Sequence, residues 1–143
     1  MIAVDTNILV YANRGDAPFH DAASNVMRSL SEGTRSWAIP WPCAHEFFSI
    51  VTNPRIFKPP STVDRALAQL GAWMESPGLN LLSETAQHWS ELRTVIASAR
   101  VVGPMVHDAK VMALCRQHGV RELWTADRDF SRFSGLIVRN PLV

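Results

Sequence analysis

Apolar positions along the chain alternate between two rhythms. Short apolar runs at Ile2-Ala3-Val4, Ser36-Trp37-Ala38-Ile39, Leu79-Asn80-Leu81-Leu82, Glu122-Leu123-Trp124-Thr125 and Leu136-Ile137-Val138 are of strand length and predict strands. Between them the apolar residues recur every three or four positions, which predicts helices. The first helix is short, Asn7 to Asn13, with Thr6 or Asn7 as its cap. A second spans Phe19 to Leu30 and stops at Gly33, and a third starts with Pro42 in its first turn and runs to about Thr52. Ser61 to Met74 gives a fourth, capped by Ser61 or Thr62; Ser83-Glu84 opens a fifth that reaches roughly Ala99; Met105 to His118 gives a sixth, stopped by Gly119. The prolines of 55–60 keep that segment a loop. Strands alternating with longer helices predict an α/β fold: a mostly parallel, twisted sheet of about four to five short strands with helices on both faces.

Composition adjusts this picture only slightly. At 143 residues, with 47% apolar and 19% charged residues, the chain suits one folded domain, 1–143, without a linker or an internal repeat. No apolar run is long enough to span a bilayer and the first residues lack the pattern of a signal peptide, so the expectation is a cytoplasmic protein with no membrane partner. Cys43 and Cys115 lie far apart inside apolar helical stretches and are expected to be reduced and buried. A net charge of +1 does not announce a nucleic-acid binder, so any such role must rest on local clustering.

The acids carry more information. Asp5 ends the first strand, Asp127 and Asp129 follow the fourth, Asp108 lies on the first turns of the sixth helix beside Met105, Ala109 and Met112, and Glu46 interrupts an apolar helix face, where it is expected to point inward. Each has an ordinary reading taken alone, as a helix cap, an ion-pair partner or a charge near a helix N-terminus. Together they bring carboxylates to strand ends and inward helical faces, where acids crowded at one point repel one another unless a hard divalent cation relieves them. An all-oxygen set suits Mg²⁺ or Mn²⁺, and the chemistry it suggests is hydrolysis of a phosphodiester by a metal-activated water. A histidine-based transition-metal site is disfavoured: His45 and His107 adjoin acids, but there is no pair of histidines four apart.

The combination of Val4-Asp5-Thr6-Asn7, Glu46 within Pro42-Cys43-Ala44-His45-Glu46-Phe47, His107-Asp108-Ala109 and Thr125-Ala126-Asp127-Arg128-Asp129-Phe130 resembles the PIN-domain nucleases. More narrowly, it is similar to the VapC toxins of bacterial type II toxin–antitoxin systems, over essentially the whole chain. The resemblance implies the PIN-like fold and metal-site acids at Asp5, Glu46, Asp108 and Asp127. Thr6 and Asn7 match the small polar residues beside the first acid, and Thr125 matches the hydroxyl before the fourth. Asp129 corresponds to an acid that holds a water of the cation or pairs with an arginine. The resemblance further implies an endoribonuclease using Mg²⁺ or Mn²⁺, an RNA substrate, a homodimer, and inhibition by a VapB-like antitoxin in a heterotetramer or larger assembly. A catalytically inactive PIN-like module that engages a partner peptide or RNA is the alternative. A phosphoacceptor receiver domain fits less well, because no acidic pair adjoins the first strand and no acceptor acid ends a middle strand.

Candidate phosphate contacts are Arg14, Arg55, Lys58, Lys110, Arg128 and Arg132, all in or beside loops expected to open toward the carboxyl edge of the sheet. Of the five tryptophans, Trp73, Trp89 and Trp124 are expected to face the core, while Trp37 and Trp41 flank Pro40 and Trp41 can border a cleft.

Overall fold

A computed structural model describes residues 1–143. Five strands form one sheet: β1 (Ile2–Val4), β2 (Trp37–Pro40), β3 (Leu79–Leu82), β4 (Glu122–Trp124) and β5 (Ile137–Arg139). The helices are α1 (Thr6–Asn13), α2 (His20–Glu32), α3 (Trp41–Val51), α4 (Val63–Met74), α5 (His88–Ala99) and α6 (Val106–Gln117). Every strand pairing is parallel, in the order β3-β2-β1-β4-β5. The chain therefore moves outward from β1 to β3, then returns across the sheet to β4 and continues outward to β5. Parallel crossovers are right-handed as a rule, so connections running outward from β1 in opposite directions put helices on both faces, as the strand and helix pattern predicts.

The central strands β1 and β2 are short and buried on both sides, which is why they read as continuous apolar runs, whereas β3 and β5, at the edges of the sheet, are partly exposed. Trp37, Ile39, Leu123, Phe47, Met112, Leu114 and Phe130 are fully enclosed at the centre of the core. Trp37 keeps its polar edge satisfied by donating its indole N–H to Ser76 Oγ at 2.9 Å. Gly78 leads into β3 so close to β2 that a side chain there would collide with the Arg35 carbonyl. Both cysteines are free and buried. No helix is long and apolar enough to cross a membrane.

The structure corrects several sequence expectations. The cap of α1 is Asp5 rather than Thr6 or Asn7, because extended backbone continues through Asp5 and its carboxylate accepts from the Thr6 amide. Helix α5 begins at His88 instead of Ser83-Glu84: Thr85 takes up the local donors first, accepting from the Gln87 amide at its hydroxyl and the His88 amide at its carbonyl. Trp89 is not a core residue but 70% exposed, since α5 buries Val95 and packs its neighbours Leu92, Ile96 and Ala99 inward. Strand β5 starts one residue later than expected, after the turn at Gly135.

Candidate active site

Strands β1 and β4 lie side by side in a register that puts Val4 opposite Trp124, so their carboxyl ends finish level. From there the chain departs in opposite directions, β1 toward β2 and β4 toward β5. Such a switch point leaves a crevice beyond the strand ends, and Asp5 and Thr125 emerge into it together. The Asp5 amide completes the ladder by donating to the Trp124 carbonyl at 3.0 Å.

Asp5 is held from every side. Its carboxylate accepts from the Thr6 amide at 2.8 Å, the Thr125 hydroxyl at 2.8 Å, Asn7 Nδ2 at 3.3 Å and the Cys43 thiol at 3.5 Å, and the residue is only 7% exposed. Thr125 is likewise saturated: its one proton goes to Asp5, while its oxygen accepts from Asn7 Nδ2 at 3.1 Å and from the Asp127 amide at 3.0 Å. Asn7 closes the lattice by accepting from the Ala126 amide at 3.0 Å. These bonds tie the end of β1, the start of α1 and the turn after β4 into one rigid unit. The Cys43 contact was not legible in the sequence, although Cys43 and Glu46 share a face of α3 by their spacing. Burial pushes the Cys43 thiol well above its ordinary range, so it stays protonated and donates.

The remaining acids are held far more loosely. Glu46 does not point into the core as expected; it is exposed, because α3 buries Cys43, Ala44, Phe47 and Val51, and that stripe turns Glu46 to the rim. There it accepts a long, 3.4 Å bond from the Thr6 hydroxyl. Asp127 is half-buried and caps the following 3-10 turn by accepting from the Asp129 amide at 2.8 Å. Asp129 is exposed, and Arg132 Nε donates to its backbone carbonyl at 3.1 Å. Asp108 is half-buried on the first turn of α6.

These groups are near enough to influence one another's charge. Burial raises Asp5 above the ordinary carboxylate value despite its hydrogen bonds, and Glu46 adds repulsion. Asp108 is pushed up to about 6, first by burial and then by repulsion from Asp127, Asp5, Asp129 and Glu46 in that order. Five carboxylates thus share one field. As they stand, no three are drawn close enough to ligate a single ion; Glu46 and Asp108 line an open cleft and Asp5 is buried beneath the strand ends. The donor set nevertheless fits a hard divalent cation: every ligand is a carboxylate oxygen, and a cation would relieve the repulsion that raises Asp108.

A cleft of about 840 Å³ adjoins the ring, lined among others by Trp41, His45, Glu46, Glu84, Asp108 and Lys110. Of the candidate phosphate contacts, Lys110 lies in this cleft, while Arg55, Lys58, Arg128 and Arg132 are on the surface. Arg14 is committed elsewhere. It pairs with Asp16 through two bonds of 2.7 and 2.9 Å, donates to Ser61 Oγ and the Pro59 carbonyl, and stacks over Phe57 at 4.3 Å. Emerging from the end of α1, it pins the 55–61 loop, which leaves it little capacity for phosphate.

The PIN domain profile matches residues 2–136. Ribonuclease VapC48 of Mycobacterium tuberculosis is 30% identical over 137 residues, spanning 96% of this chain and 94% of that protein. Ribonuclease VapC43 of the same organism is 30% identical over 142 residues, spanning 99% and 96%. The fold is similar to that of Mycobacterium tuberculosis VapC20, a sarcin-ricin loop cleaving toxin, with a TM-score of 0.66, 16% identity and coverage of 92% and 93%. It also matches VapBC2 from Rickettsia felis, whose crystal structure holds a DNA fragment from its promoter, with a TM-score of 0.67, 21% identity and coverage of 98% of each chain.

Proposed function

The chain belongs to the PIN-domain family, and on that premise we propose that it is a divalent-metal-dependent endoribonuclease acting as the toxin of a toxin–antitoxin pair. The observation that carries this reading is the placement of Asp5 and Asp127 at adjacent strand ends with Asp108 and Glu46 on flanking helices, where Asp108 is pushed up to about 6 first by burial and then by repulsion from the other acids. Carboxylates concentrated in this way are unfavourable for the fold and are suited to cation-dependent phosphoryl chemistry.

Asp5, Glu46, Asp108 and Asp127 would hold Mg²⁺ or Mn²⁺, with Asp129 contributing through water. Bound there, the cation supplies Lewis acidity, lowering the pKa of a water and neutralising charge on the phosphodiester. The protein's part is positional. Thr125, Asn7 and the Thr6 amide fix the Asp5 carboxylate, leaving it little freedom to follow the substrate. Lys110 offers a cation to the phosphate along the cleft, and Arg55, Lys58 and Arg128 extend that role over the surface. Hydrolysis would form a P–O bond from a water oxygen and break one ester P–O bond, the water giving up a proton to a carboxylate or to solvent and the departing oxygen taking one up to leave as a hydroxyl.

Homodimer formation and inhibition by a VapB-like antitoxin follow from the same reading. A partner segment bearing an arginine would find in the exposed acids a ready charge complement. The test is cleavage of total bacterial RNA by the purified, antitoxin-free protein with Mn²⁺, with EDTA, and with Mn²⁺ restored. Cleavage that is lost with EDTA and returns with Mn²⁺ is expected; no cleavage in any condition would leave the alternative, an inactive PIN-like binding module.

A further inference from the structure

We propose that Trp41 is the stacking platform for one unpaired nucleobase, seated in the cleft next to the carboxylates. The inference rests on the nuclease reading and adds to it the part of the RNA that the cleft receives. Trp41 is the tryptophan whose side chain shares the cleft with Glu46 and Asp108. Its ring centroid lies 5.8 Å from that of His45 with the planes only 30° apart, so the two residues present one aromatic wall.

The other four tryptophans are used differently. Trp37 is enclosed and bonded to Ser76, Trp73 packs edge-on against Phe47 at 5.1 Å, and Trp124 donates to Glu122 at 2.8 Å. Trp89 is exposed but lines a separate depression beside Arg93 and Ala97.

The cleft's lining mixes the two chemistries that a nucleotide needs, apolar or aromatic surface and charged groups. Its floor is apolar, with Leu82 and Leu114 each 1% exposed, and its volume of about 840 Å³ falls in the range that takes small organic groups. Its lining also carries Glu46, Glu84 and Asp108, which repel a bare phosphate but suit one accompanied by a cation. A base has a π-face that the aromatic wall can cover, and stacking of this kind tolerates any base. A base inside an A-form duplex is covered on both faces by its neighbours, so the wall accepts an unpaired one.

The test compares two probes of equal length and charge: fluorescein-labelled oligoadenylate and an abasic ribose-phosphate oligomer. Binding is followed by anisotropy with Mg²⁺ in the Asp5→Asn background, which suppresses turnover through a substitution outside the lining of the cleft. Trp41→Ala is expected to weaken oligoadenylate binding roughly ten- to a hundredfold and to leave the abasic oligomer unchanged. Trp41→Phe should restore most of the loss, and Trp89→Ala should alter neither probe. Equal losses on both probes would mean that Trp41 merely supports the cleft wall, and no loss on either would also overturn the proposal. Cleavage failing in wild type while the base-dependent difference persists would remove the nuclease reading and uphold the stacking site.

Discussion

The two halves of the acidic ring are built on opposite principles. Around Asp5 four donors from three segments of the chain, the start of α1, α3 and the turn after β4, converge on one buried carboxylate. Across the opening, Asp108 and Glu46 stand on helices that only flank the sheet, with a single 3.4 Å bond to Glu46 between them. The sheet edge therefore supplies a fixed reference point, and the helices supply charge that can adjust. The difference appears electrostatically as well: hydrogen bonds partly counter the burial of Asp5, whereas repulsion adds to the burial of Asp108.

If the fixed half matters most, its loss should have the largest consequence. Asp5→Asn is expected to lower divalent-dependent cleavage on the order of a thousandfold or more. An amide at this position turns a donor toward the Thr125 hydroxyl or the Thr6 amide, so stability should also fall by about 1–3 kcal/mol while the circular dichroism spectrum stays native. Glu46→Gln, on the adjustable side, should cost less, about ten- to a hundredfold. Equal losses would show that preorganisation of Asp5 contributes nothing beyond its charge.

Thr125→Val sharpens the same point without touching a carboxylate. It keeps the shape of a buried side chain but removes the hydroxyl that serves Asp5, Asn7 and the Asp127 amide at once. Cation affinity and cleavage should each fall about ten- to a hundredfold, read by calorimetry and by initial rates. An unchanged affinity would mean that Asp5 needs no help to keep its orientation.

Much of this arrangement was legible in the sequence, and what was missed has a common physical origin. The strands could be read because each is a short, mainly apolar run between turn residues, and the acids that follow β1 and β4, Asp5 and Asp127, could be located with them. Glu46 was misjudged because a helix face read from spacing is about a third of a turn wide, and packing against the sheet decides which edge of that face is covered. Trp89 failed for the same reason. Arg14 has one partner close in sequence, Asp16, but its other partners, Ser61 and the Pro59 carbonyl, come from a loop more than forty residues away and are not legible locally. Local pattern reports which residues are apolar and how they recur; it does not report which distant surface meets them.

The adjustable half should respond to pH. Asp108 must be ionised to hold a cation, and its value of about 6 puts that ionisation between pH 5 and 7. Mn²⁺ affinity should accordingly be about tenfold weaker at pH 5 than at pH 7. Stability without metal has the opposite sign. Between the ordinary value of 3.8 and about 6 the folded chain holds the Asp108 proton more tightly than the unfolded chain. Its contribution to stability is present at low pH and is lost as pH rises through that window. Asp108→Asn should therefore raise the metal-free thermal midpoint at pH 7 and flatten its dependence on pH over that interval; a lower midpoint would mean that Asp108 is stabilised by its surroundings rather than opposed by them.

The smallest effect expected concerns the one cation in the cleft. Lys110 shares α6 with Asp108 and faces the same opening, so it can meet a phosphate and also soften the acidic field. Lys110→Ala should weaken binding of single-stranded RNA only a few-fold near physiological salt and lower the slope of log affinity against log salt by about 0.7, the value for one phosphate contact on a single strand. Arg14→Ala should leave that slope unchanged while destabilising the 55–61 loop, because its guanidinium is already spent on Asp16, Ser61 and Pro59. A slope lowered by Arg14→Ala and not by Lys110→Ala would reverse the assignment, placing the phosphate track on the Arg14 side and leaving the adjustable half with acids alone.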